Sequence, residues 1–332
     1  MKNNLLFMLI FIVYFPPEFL ISSYGLLRNI NKQLSSKNNF SLSDNNYIET
    51  YAGLNIEMVF IQGGTFYMGC TPENDTDCFD YERPRHKIML SDFYMAKTEV
   101  TVAQFELFVN ETSYQTDAEK AKESYIFDNK GALKNAADVN WRFDAKGNKW
   151  KKNDYNHPVI HVSWNDAKAY CDWLSNKTKK IYRLPTEAQW EYAARNKGKD
   201  IKYSWGNESP SKYNGGNIAD ISTQKKFKKW TVWNNYNDKY IYTAPVNSFG
   251  TNDIGLADMS GNVTEMCIDW YGRDYYKKSV LNNPENNADG ACRVIRGGSW
   301  SDEPNKLRCS HRSCTPPKYA DCNMGFRICK ID

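Results

Sequence analysis

The feature that most constrains this chain is a loss of periodicity. From about residue 196 onward, stretches such as "YSWGNESPSKYNGGNIADIS" are dominated by Gly, Asn, Asp and aromatics and carry no helical repeat. A long irregular stretch inside a compact domain must be held by something other than hydrogen-bonded ladders: disulfides, ions or many side-chain hydrogen bonds. The composition is still that of a folded protein, with 41% hydrophobic and 14% aromatic residues. At 332 residues the chain is long enough for a substantial core. Short strands are expected at "TAPVNSF", "TEMCIDWY", "CRVIRGGSW" and "MGFRICKI".

Ahead of that stretch the signals are regular. "MVFIQGGTFYMG", residues 58–69, reads as a β-hairpin turning at Gly63-Gly64, and "HKIMLSDFYMAKTEV" continues as strand with a break near Ser91-Asp92. Three helix starts carry capping boxes: Thr101 with Gln104, Ser163 with Asp166, and Thr186 with Gln189. In each, the hydroxyl accepts from an orphan N–H of the first turn and the third residue reaches back.

The N-terminus reads as an export signal. Lys2 precedes the apolar run "LLFMLIFIVYF", residues 5–15, which is short for a membrane span. Residues 1–25 are therefore expected to be a signal peptide or, alternatively, an uncleaved anchor, which would be the chain's one link to a membrane. Residues 26–53 read as a polar linker and residues 54–332 as one domain. The expected location is secreted or periplasmic, and 9 cysteines without a C-x-x-C pair fit an oxidising compartment. With 43 basic and 39 acidic residues, the charge balance points to no nucleic-acid partner. Cys70 and Cys78 bracket a short polar step and are expected to staple it, which stabilises by about 2–3 kcal/mol in the entropy model.

Other site readings are structural. His157 and His161 lie four apart in "PVIHVSW", which alternates as a strand and would hold the two rings too far apart for one ion. Glu187, Glu191 and Arg195 share a helix face and read as ion-paired. Trp164, Trp190, Trp270 and Trp300 read as core, with one of them open to use as an aromatic platform.

Several segments occur in a fixed order over residues 58–329: "FIQGGTFYMG", "VNWRFD", "NHPVIHVSWNDAKAYCDWLS", "YRLPTEAQWEYAAR", "GLADMSGNVTEMCIDWY", "RVIRGGSW" and "NMGFRIC". Together they make the chain resemble the formylglycine-generating enzyme family, also called sulfatase-modifying factors. The resemblance implies an α+β fold of C-type-lectin-like kind with little regular secondary structure. It also implies two structural calcium sites. The first falls on Asn217, the carbonyl of Ile218, Asp238 and the carbonyl of Tyr240. The second falls on Asp258, the carbonyls of Gly261 and Val263, and Glu265. Asp258 stands where the family commonly has Asn. Calcium takes six to eight oxygens at about 2.3–2.6 Å, which such loops supply; a polar loop closed by side-chain hydrogen bonds is the alternative.

The family's enzymes oxidise a substrate cysteine with Cu(I) held by two cysteines, spaced C-x4-C, just after the Gly-Gly-Ser segment. Here those positions fall on Asp302 and near Leu307, and neither can supply a soft thiolate. The resemblance therefore suggests a non-catalytic or divergent relative whose groove binds a peptide, glycan or protein partner. In that groove Ser299 and Trp300 are expected as wall residues. The alternative is the oxidase itself, with Cys309 and Cys314 of "CSHRSC" as a displaced copper pair. Against it, the distance from Cys309 to Gly325 matches a structural cysteine of the family, whose usual partner position falls on Ala194. Cys309 is then left to pair with Cys314 or Cys322, or to stay a thiol. By the same resemblance Cys171 would bridge Cys329, although Ile328 stands between the "GFR" run and Cys329 where the family has none.

Overall fold

The computed structural model describes residues 45–71, 77–212 and 214–331. The strands are β1 (Tyr47–Tyr51), β2 (Leu54–Ile61), β3 (Gly64–Met68), β4 (His86–Leu90), β5 (Phe93–Ala96), β6 (Glu123–Phe127) and β7 (Leu133–Ala137). They continue with β8 (Ile181–Arg183), β9 (Thr264–Trp270), β10 (Arg293–Arg296), β11 (Arg312–Thr315), β12 (Met324–Gly325) and β13 (Cys329–Ile331). The helices are α1 (Val102–Thr112), α2 (Asp117–Ala121), α3 (Trp164–Thr178), α4 (Glu187–Ala194) and α5 (Ile221–Lys226). One sheet runs β1-β2-β5-β13-β8, a second runs β11-β10-β9-β12, and β3-β4 and β6-β7 form separate pairs. Among the described residues between Ala194 and Thr264 the short helix α5 is the single regular element, as the lost periodicity implied.

All three capping boxes form. Thr101, Ser163 and Thr186 accept from the N–H of Gln104, Asp166 and Gln189, and each of those side chains returns to the cap backbone. A fourth, Thr116 with Glu119, opens α2. Helices α1 and α3 bury Phe105, Phe108, Tyr170 and Leu174 against Val162, Phe326 and Ile328 in the largest apolar cluster. Helix α4 is buried on every side, among Phe66, Phe93, Cys267, Cys309 and Cys329.

Four expectations change here. The proposed hairpin does not form: β2 pairs with β1 and β5, while β3 pairs with β4. Gly63 instead lets two chains meet, since a Cβ there would lie 2.2 Å from the Leu90 carbonyl oxygen. The sheet begins at Tyr47, inside the stretch read as linker, because β1 finds a full register on β2. "TAPVNSF" and the segment around His157 and His161 are irregular rather than strand. His161 nevertheless keeps a structural role, its Nδ1 2.8 Å from Ser124 Oγ, and His157 Nδ1 lies 3.0 Å from Thr243 Oγ1. Residues 1–44, with the signal or anchor, lie outside the described residues. Among those described, no helix is long and apolar enough to cross a membrane.

Candidate functional site

The irregular half is organised by buried ion pairs. Arg308 forks onto Glu82, with both bonds 2.7 Å. Arg312 forks onto Glu187 at 2.7 and 2.6 Å, and Arg296 bonds Glu191. Arg327 holds Glu265 at 2.6 and 2.5 Å. All four arginines are shut off from solvent. In a low-dielectric interior such a pair persists because the two-pronged geometry satisfies both partners. The helix face read as ion-paired is confirmed, and Arg195 Nε bonds Glu191 Oε1 at 2.9 Å. The remote partners of Glu187 and Glu191 were not foreseen.

One of those arginines, Arg296, lines a cleft of about 550 Å³ between β10, β11 and the loops that follow them. Its lining includes Tyr81, Asp302, Lys306, His311, Tyr319 and Asp321. Asp302 is held in place: its Oδ2 accepts from Ser299 N–H at 3.0 Å and Ser299 Oγ–H at 2.7 Å. Lys306 Nζ stands 3.6 Å from its other oxygen. Burial pushes the Asp321 carboxyl up to about 6, and the nearby Asp302 charge adds to the rise. Burial, followed by the charges of Arg308, Arg296 and Lys306, lowers His311 to about 3, so its imidazole is neutral at physiological pH.

The two positions that would carry copper ligands have other work. Asp302 closes the turn after Gly298. Leu307 is fully buried in an apolar cluster with Tyr203, Ile218 and Tyr236. The displaced pair does not form either. Cys314 is bonded to Cys292, a disulfide not anticipated, and Cys309 is buried beside Ala194 and Trp190 with no place in the cleft lining. These donors do not fit Cu(I). Ser299 and Trp300 are not wall residues: both are wholly buried, Ser299 behind Asp302 and Trp300 in a cluster with Phe227 and Cys322.

The Cys70–Cys78 bridge forms as expected. Cys171 and Cys329 do not bridge, and both are buried thiols. The extra residue explains this: Ile328 faces the α1–α3 cluster that contains Cys171, whereas Cys329 turns to the opposite cluster. Burial, above all, raises the Cys329 thiol to about 12.

The first candidate calcium set is brought together. Asp238 accepts from the N–H of Ile218 at 2.9 Å and of Tyr240 at 2.7 Å. Asn217 gives its amide nitrogen to Tyr242 O and Asn262 Oδ1, which leaves its buried Oδ1 without a donor. Burial, then the Asp220 carboxylate, pushes Asp238 up to about 8. No ion pair among the described residues neutralises it. The second set is built differently. Asp258 lies against Glu99, which the sequence reading missed, and Glu265 is committed to Arg327 and Trp190. Glu99 is almost wholly buried and its Oε2 has no donor. Burial and the Asp258 charge raise Glu99 well above the ordinary range. The Asn262 amide links the sets, accepting from Asn217 and donating to Glu99 Oε1 at 3.0 Å. Orphaned oxygens beside carboxylates that form no ion pair of their own among the described residues are the chemistry of a hard cation. Among the described residues no three His, Cys, Asp or Glu side chains gather as one ligand set, so carbonyl and amide oxygens would complete each shell.

Residues 47–331 match the family model described as the sulfatase-modifying factor enzyme 1-like domain. The chain belongs to that family. It is 36% identical over 293 residues to a formylglycine-generating enzyme of Streptomyces coelicolor, covering 81% of this chain and 87% of that protein. It is also 33% identical over 310 residues to the inactive C-alpha-formylglycine-generating enzyme 2 of Bos taurus, covering 86% and 92%. Among solved structures, PvdO from Pseudomonas aeruginosa superposes with a TM-score of 0.65 at 23% identity, over 86% of this chain and 97% of that one. The fold is thus the mixed α/β arrangement with few helices that the family motifs implied.

Proposed function

We propose that this family member is exported, does not carry out copper–thiolate oxidation, and uses the Asp302–Asp321 cleft to bind a peptide, glycan or protein partner. One observation carries the reading: both thiolate positions have become structural. Asp302 closes a turn through Ser299, and Leu307 fills a core. The relative named as inactive, matched over most of its length, is consistent with this. Calcium in the two loop sets would supply positive charge to Asp238, Asp258 and Glu99, which form no ion pair of their own among the described residues, and would fix those loops.

Purified full-length protein incubated with Cu(I), oxygen and a Cys-Xaa-Pro-Xaa-Arg peptide should leave the peptide mass unchanged. Conversion of its cysteine would overturn the reading. Peptide and glycan arrays should give ligands whose retention falls in Asp321→Asn and Tyr319→Ala; retention indifferent to both would place binding elsewhere. A chelator should lower Tm, and equilibrium dialysis should return two calcium ions per chain. Unchanged Tm with no bound calcium would remove the metal from the account.

A further inference from the structure

A second and larger cleft, of about 910 Å³, is lined by Asp80 and Arg83, the near neighbours of Tyr81 in the first. Its charged lining is Arg83, Arg85, Arg273 and Lys277 against Asp80 and Asp274. The acids do not cancel the bases. Asp274 is taken by Lys277, 2.8 Å away. Arg85 pairs outward with Asp200 and lies over the Tyr67 ring, yet its buried Nε–H has no acceptor. Arg83 and Arg273 are exposed and have no acidic partner among the described residues.

The cleft's walls are anchored. The short 3-10 helix Asp80–Glu82 is pinned by the Glu82–Arg308 fork. Arg312 donates to the carbonyls of both Tyr81 and Gly272, and so ties that helix to the loop bearing Arg273. Two guanidiniums with no acidic partner among the described residues thus line one cleft, on anchored supports, with a third that has an unsatisfied donor. Guanidinium geometry matches carboxylate, sulfate and phosphate in a way an ammonium does not.

We infer that this cleft binds a ligand through an oxyanion group, with Arg83 and Arg273 as its primary contacts and Arg85 Nε–H as a further donor. The assignment does not depend on what occupies the Asp302–Asp321 cleft. The test is thermal unfolding of the full-length protein in sulfate, phosphate or acetate, each titrated at ionic strength held constant with sodium chloride. Sulfate and phosphate also stabilise proteins by exclusion from the surface, an effect that does not saturate and is blind to these side chains. The expected result is a saturable rise in Tm in wild type that is absent in Arg83→Ala/Arg273→Ala. It should be reduced in Arg83→Lys/Arg273→Lys, which keeps the charge and loses the fork. Saturation by sulfate or phosphate would assign an ester-bearing ligand, and saturation by acetate alone a carboxylate. A rise of equal size in the alanine variant, with its Tm in chloride unchanged, would overturn the inference, as would the lack of any saturable rise in wild type.

Discussion

The helical layer up to Arg195 and the loop-built half beyond it are held together by different physics. In the first, local rules dominate: capping boxes start α1, α2, α3 and α4, and their faces bury against strands. In the second, the sheet β11-β10-β9-β12 stands among long irregular loops, and charged forks such as Arg308 with Glu82 tie them to residues far away in sequence. Losing a local contact frays an element. Losing one arm of a buried fork strands a charge in a dry interior.

That contrast can be broken experimentally. The largest loss is expected from Glu82→Ala, which removes the carboxylate forked onto the fully buried Arg308; about 3–5 kcal/mol should disappear in urea unfolding. Replacing both arms by well-packed apolar residues should cost far less, and an equal loss would refute the stranded-charge explanation. Next comes Cys292→Ser/Cys314→Ser, which opens a bridge spanning 22 residues beside the cleft; about 2–4 kcal/mol is expected. A pH series sharpens the comparison further. Burial, followed by the Glu187 charge, raises Asp269 to about 7. A carboxyl whose pKa is higher when folded binds protons more tightly in the native state. Its contribution is complete below the unfolded value near 4 and is lost as pH rises towards 7. Asp269→Asn should flatten that slope, and an unaltered slope would point to other groups. The smallest effects belong to the helical layer: Ser163→Ala and Thr186→Ala should each cost about 1 kcal/mol in the same assay.

The same division governs what could be read from the sequence. Caps at Thr101, Ser163 and Thr186 were legible because their partners sit three residues away. The hairpin at Gly63 was misread because β2 is satisfied by β1 and β5, and no local signal distinguishes those partners from β3. For Cys171 and Cys329, the inserted Ile328 was visible, but only the packing shows that it turns Cys329 into the opposite cluster. Glu99 escaped notice because its neighbours Asp258 and Asn262 lie far along the chain. The absence of cysteine at the two positions, Asp302 and Leu307, was legible by counting. What those side chains do is set by packing, as Leu307 shows against Tyr203 and Ile218.

The turn at Asp302 also bears on what the cleft can become. Its carboxylate accepts both the backbone and the hydroxyl of Ser299, while Leu307 closes the apolar cluster below. Placing two cysteines at 302 and 307 would therefore open the turn and hollow the core before any metal arrived. A thiolate metal centre in this loop would need several changes made together, whereas Lys306 or Tyr319 in the cleft lining can change one residue at a time. The scaffold is therefore freer to diversify in recognition than to take up a soft metal there.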